Sequence, residues 1–143
     1  MTLQEKIRSG KFVVLGEFEP PKGADFSPLS KSASLTRGRL DAVVVPEMAN
    51  AVLKASSLGG CAFLQREGVE TVFQVCCRDR NRLALQADIL SAAALGVRNL
   101  MAVPGEDIRF GVGFDAGLGG QAERVADIDI LEFALAGRQG LVQ

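Results

Sequence analysis

Residues 11–22, KFVVLGEFEPPK, decide how this chain is read. Phe12, Val13, Val14 and Leu15 form a short apolar, β-branched run of the kind that builds a buried strand. The run stops at two carboxylates, Glu17 and Glu19, and then at Pro20-Pro21, which have no N–H to give to a sheet. Glu17 therefore stands where a core strand emerges into a loop. In parallel α/β folds that is the end at which ligands bind.

The same unit recurs down the chain. Ser27-Pro28 reads as a helix opening, a capping hydroxyl followed by proline, with the helix running to about Thr36. Asp41 to Val45 is a second apolar strand, closed by Pro46 and Glu47. Asn50 is a candidate cap for the next helix, with Ala51, Ala55, Leu58 and Ala62 on one face, and Gly59-Gly60 marks a tightly packed spot or a break. Thr71 to Cys76 is a third strand. Leu83, Ala87, Leu90 and Ala94 line one face of the following helix, which Gly96 ends. Arg98 to Val103 is a fourth strand, cut by Pro104-Gly105 before Glu106-Asp107. After a glycine-rich loop at about 110–120 comes a last helix from about Asp127 to Ala136, and Leu141-Val142 would open a fifth strand. Strand centres at Val14, Val44, Phe73 and Met101 are offset by 30, 29 and 28 residues. That is a βαβ repeat, and four successive units predict a parallel sheet whose charged exits gather at one end.

Composition narrows the chemistry. The 143 residues fit one domain, 1–143, which opens with a short amphipathic helix at about 2–9 with Leu3 and Ile7 on one face. With 48% hydrophobic and 23% charged residues the chain reads as globular. A net charge of −1 without a basic cluster argues against nucleic acid. No apolar run approaches the roughly 18 residues of a membrane span, and the N-terminus does not read as a signal peptide. Three cysteines (Cys61, Cys76, Cys77) without CxxC spacing predict neither a disulfide framework nor a zinc site, and place the chain in the reducing cytoplasm. Histidine, tyrosine and tryptophan are all absent, so acid–base work falls to carboxylates, lysine, cysteine or water. No metal is assigned. A Mg²⁺-dependent lyase, the one metal alternative, would use Glu47, Glu106 and Asp107. The adjacent cysteines read as packing residues, since no imidazole is present to activate them. Arg78 is a candidate anion contact or a partner for Asp79.

EFEPPK (17–22), KASSL (54–58), QVCCRDRNRLALQADILSAAALGVRNLMAVPGED (74–107) and DIDILEFAL (127–135) together resemble the methylenetetrahydrofolate reductase family, in order and spacing, over about residues 11–136. The resemblance implies a partial TIM (β/α)8 barrel of that family's type, a half-barrel of four (βα) units. It also implies FAD and the reduction of 5,10-methylenetetrahydrofolate to 5-methyltetrahydrofolate at the expense of NAD(P)H or another electron donor. The implied setting is one-carbon metabolism leading to methionine.

By the same resemblance Glu17, three residues before Pro20, is the general acid and touches the folate. A proton donor of this kind works best with a raised pKa, which burial at a barrel mouth supplies. Glu106, after Gly105, is the acidic residue beside flavin and folate, with Asp107 one position away. Gln74 takes a place where some relatives have a flavin-contacting histidine. Glu19 receives no role. Val45-Pro46-Glu47 departs from the family's hydroxyl contact in the second strand, and Pro104 replaces a residue that is often polar or basic. A sheet of four strands cannot close. The expectation is therefore a homo-oligomer or partner subunit that completes the barrel. The alternative is a non-catalytic half-barrel or fragment that binds a partner.

Overall fold

Every strand pairing in the computed structural model is parallel. The structure describes residues 1–49, 52–77 and 80–103, and the backbone of 129–130. The elements follow as α1 (Leu3–Arg8), β1 (Leu15–Glu17), α2 (Ser27–Thr36), β2 (Ala42–Val45), α3 (Ser57–Arg66), β3 (Thr71–Cys76), α4 (Arg82–Ala94), β4 (Asn99–Val103) and β5 (Asp129–Ile130). The sheet order is β1-β2-β3-β4-β5. Leu15 pairs with Ala42, Val44 with Val72, and Gln74 with Met101. The predicted βα repeat is therefore present: among the described residues four parallel strands alternate with three connecting helices, and β5 adds two residues of a fifth strand.

The two sheet faces have different covers. Alternate strand residues point to opposite faces. Val43, Val45, Phe73, Val75 and Leu100 pack with Leu29 and Ala33 of α2, Cys61 and Leu64 of α3, and Leu85, Ile89 and Ala92 of α4. Ala42, Val44 and Val72 face the other way, where they meet Leu3, with Ile7, Val13, Leu15 and Met101 around them. Among the described residues only α1 packs on that second face. Thr2 opens α1 with a capping box: its hydroxyl accepts from the Glu5 N–H at 3.2 Å, and its own N–H donates to Glu5 Oε2 at 2.9 Å.

Several boundaries depart from the sequence reading. β1 begins at Leu15, and Phe12 is 85% exposed. Upstream the Asp41 carboxylate replaces a ladder partner, since it accepts from the Val14 N–H at 2.8 Å while the Asp41 N–H donates to the Val14 carbonyl. Ser27 is the first residue of α2 and not its cap: the N-cap is Phe26, without a side-chain cap, and the Asp25 carboxylate before it accepts from the Ser27 N–H at 2.9 Å. α3 starts at Ser57 behind the cap Ser56, so Ala55 is not helical; Asn50 and Ala51 lie outside the described residues. Gly59-Gly60 thus falls in the first helical turn. A Cβ on Gly60 would come within 2.8 Å of Val45 Cγ1, so the glycine marks close packing and not a break.

The largest reversal is in α4. Leu85, Ile89 and Ala92 are buried, whereas Leu83 is 76% and Leu90 55% exposed. The Leu83/Ala87/Leu90/Ala94 stripe is the outer face of the helix. Two apolar stripes run along this alanine-rich segment, and periodicity alone cannot say which one meets the sheet. The last helix is also corrected in part. Asp129 and Ile130 form β5 beside Asn99 and Leu100, as the alternating Asp127-Ile128-Asp129-Ile130 pattern allows. The rest of that segment, the glycine-rich loop and Leu141-Val142 lie outside the described residues.

Two outcomes test this packing. In dilute protein, Ile89→Ala should lower unfolding free energy by about 2–5 kcal/mol and Leu83→Ala by less than about 0.5 kcal/mol in urea titrations. The Lys6 ammonium and the Val14 N–H hold the Asp41 carboxyl below its usual value. Its contribution to stability is therefore present above that usual value, 3.8, and lost as pH falls through the depressed one. Asp41→Asn should flatten the acid limb of a stability–pH profile, read by thermal melts.

Candidate functional site

Glu17 is the last residue of β1 and shares a face with Leu15, since Gly16 between them lies toward Leu40 on the helix side. Its register partner is Val44, which pairs with Val72. Gln74 is two residues beyond Val72 and so lies on the same face, one layer nearer the strand exits. With strands about 4.8 Å apart and about 3.3 Å per residue along them, the Cα atoms of Glu17 and Gln74 are roughly 12 Å apart. They do not touch. Val44, Val72 and Met101 make an apolar floor around and between them. Glu17 is exposed and Gln74 half-buried. The structure therefore brings Glu17 and Gln74 to one face of the sheet, the one on which α1 packs; Gly105, Glu106 and Asp107 lie outside the described residues.

A hydrogen-bonded clasp holds the exits of β1, β2 and β3 in place. The Ser57 hydroxyl donates to the Val45 carbonyl and accepts from the Gln74 N–H at 3.2 Å. It joins the neighbouring strands β2 and β3 at their exits. Ser57 is fully buried. Nearby, the Ala55 N–H donates to the Pro21 carbonyl at 2.8 Å, and the Lys54 ammonium pairs with Glu19. Pro20 is buried and faces Gly60. Glu19, which received no role from the sequence, thus anchors the 52–56 segment to the loop after β1. Met48, at φ 44°, turns the chain after β2 in the left-handed region that residues with a Cβ rarely adopt. Lys54 and Ser57 both lie in KASSL, but no spacing rule marks a lone lysine or a second serine as a strand bridge.

Glu47 belongs to the opposite face, in phase with Val43 and Val45. Its Oε1 lies 3.3 Å from Arg80 Nη2, and Arg80 Nε donates to Asp88 Oδ2 of α4 at 2.7 Å. Burial pulls the Arg80 pKa down, but Glu47 and Asp88 outweigh it and hold the guanidinium above its ordinary value. An ion-paired Glu47 on the helix side corrects its place in the Mg²⁺ alternative, and no group of three or more His, Cys, Asp or Glu suited to a metal occurs among the described residues. Arg78 and Asp79 lie outside them; Arg80 forms the ion pairs here.

The cysteines are packing residues. Burial pushes the Cys61 thiol up to about 12, despite hydrogen bonds to Thr71 and Ser57, and burial also raises Cys77. Cys76 is buried and Cys77 half-buried, and all three are free thiols. No helix among the described residues is long and apolar enough to cross a membrane. A cavity of about 210 Å³ between the ends of α2 and α3, lined by Thr36, Arg37, Asp41 and Glu70, lies at the opposite end of the sheet from the exits.

The clasp predicts its own failure. Ser57→Ala leaves a buried carbonyl and a buried N–H without their bridge, and should cost about 1–3 kcal/mol in chemical denaturation. The Gln74 amide resonance should move in the same variant, read by NMR.

Comparison with known proteins agrees with this architecture. Among individual curated proteins none matches the chain. The family model described as methylenetetrahydrofolate reductase matches residues 2–120, the greater part of the sequence, including β1 to β4 and the segment carrying Glu17, Gln74, Gly105 and Glu106. With its parallel βα repeat of the TIM-barrel type, this chain belongs to the methylenetetrahydrofolate reductase family.

Proposed function

We propose that the chain is the carboxylate-bearing half of a flavin-dependent reductase that converts 5,10-methylenetetrahydrofolate to 5-methyltetrahydrofolate. The observation that carries this reading is the position of Glu17. It ends β1 on the sheet face opposite α2, α3 and α4, next to Val44 and on the same side as Gln74.

Half-buried Met101 and Gln74 are the groups on this face that would meet the FAD ring system, since Val44 and Val72 are already covered by Leu3, and the Gln74 amide can both donate to and accept from a ring edge. When bound, the flavin supplies hydride. Glu17 is placed to donate a proton to a ring nitrogen of the folate, which favours opening of the five-membered ring to a cationic iminium. Glu106 would stabilise that cation as a fixed negative charge. Gly105 would let the backbone approach the flavin closely. A ligand on this face would take Glu17 out of water, and charge interactions strengthen as water is excluded.

Residues outside the described ones, or a second subunit closing the barrel, would hold the rest of the cofactor. NAD(P)H or another donor would reduce the flavin, in the cytoplasm, as a step of one-carbon metabolism leading to methionine. The alternative, a half-barrel that only binds a partner, predicts no turnover of any kind.

Reconstitution with FAD decides between them. Reduced flavin on the wild-type protein should be reoxidised when methylenetetrahydrofolate is added anaerobically. Glu17→Gln should keep the flavin spectrum and lose about 10²- to 10⁴-fold in that rate. Equal rates would overturn the role of Glu17, and a colourless, inactive protein would favour the partner-binding alternative.

A further inference from the structure

Among the described residues, the outer face of α4 is an apolar feature that neither the core nor the candidate site uses. Leu83 is 76%, Leu90 55% and Leu95 53% exposed, and Ala87 and Ala94 are exposed between them. Scattered surface leucines are ordinary, but a stripe at spacings of four, three and four along a regular helix is not. That spacing is the a/d pattern of paired helices, here with leucine and alanine alternating. Leu85, Ile89 and Ala92 already bury the opposite side of the same helix. The only charged residue from Leu83 to Leu95 is Asp88, which Arg80 engages.

The stripe is complementary to itself. Turn a second α4 antiparallel about a two-fold axis between Asp88 and Ile89. Leu83 then meets Ala94 of the second copy, and Ala87 meets Leu90. Each large side chain faces a small one, which lets two helices approach to about 8 Å. Gln86 falls opposite Ser91 of the second copy, a pair able to hydrogen-bond. The charges agree as well. Arg82 occupies the first turn of α4, where the helix dipole disfavours a cation, and no basic residue serves the last turn. In the antiparallel pair each Arg82 lies beside the carbonyl-rich C-terminal end of the other helix, where a cation is favoured.

We infer that α4 is a homodimerisation surface, taking a second copy of this chain in an antiparallel, isologous helix pair. This contact lies on the helix layer, away from the sheet edges. It does not complete the barrel and is independent of the proposed reductase activity. Three to four turns of helix bury less than the roughly 800 Å² per partner of a standard interface. Association is therefore expected at about 10–100 μM.

Sedimentation velocity of the full chain from about 5 to 500 μM should show a reversible monomer–dimer equilibrium. Leu90→Glu, at an exposed position, should keep the circular dichroism spectrum and remain monomeric throughout. Register is tested separately in a Cys77→Ser background. Gln86→Cys protein mixed with Ser91→Cys protein should oxidise to a cross-linked dimer at least about ten times faster than either alone. A monomer at every concentration, including one in which another segment of the chain covers Leu90, would overturn the proposal. So would a dimer indifferent to Leu90→Glu, or cross-linking that is equal in the mixed and single samples.

Discussion

Parallel pairing is the constraint from which the other features follow. Two parallel strands cannot be joined by a tight turn, because the chain must travel back the length of the sheet before it can pair again. Here α2, α3 and α4 make those returns, and all three lie on one face. Two consequences are forced. The strand exits collect at one end, and on the opposite sheet face α1 is the one helix that packs among the described residues. Glu17 matters because it stands where those two consequences meet.

Much of this was legible before any coordinates. Apolar runs located β2, β3 and β4 closely, with Pro46 and Pro104 marking the ends of β2 and β4. Capping gave less. At α2 an aspartate two residues upstream accepts from the first helical N–H, and at α3 Ser56 caps the helix after a non-helical segment. Local signals compete wherever serine, aspartate and asparagine cluster. The face of α4 was read in reverse for another reason. Alanine is small enough to suit either side of a helix, so the leucines decided the reading, and Leu83 and Leu90 belong to the outside. At Asp127 to Ile130, two residues of alternation in a segment read as helical were enough to join the sheet.

The candidate site was partly readable. Glu17 and Gln74 follow from strand phase together with the family resemblance, and the structure places both on one face. What holds them there was not readable. The Ser57 hydroxyl bridges the Val45 carbonyl and the Gln74 N–H across β2 and β3, and Lys54 reaches Glu19 across 35 positions of sequence. Such ties depend on three-dimensional proximity, which no local pattern encodes. Glu47 shows the converse. An acid at a strand exit looked like a ligand-facing group, and one step of strand alternation turned it to the helix side and to Arg80.

The short N-terminal helix has a consequence for the sheet. Leu3 sits against Ala42, Val44 and Val72, below Glu17 on the same surface, and Lys6 fastens the helix to Asp41. The chain's first residues thus roof the part of the sheet that no connecting helix reaches, burying Val44 and Val72 while Glu17, on the edge strand, stays exposed. Without them those two valines would lie open to water.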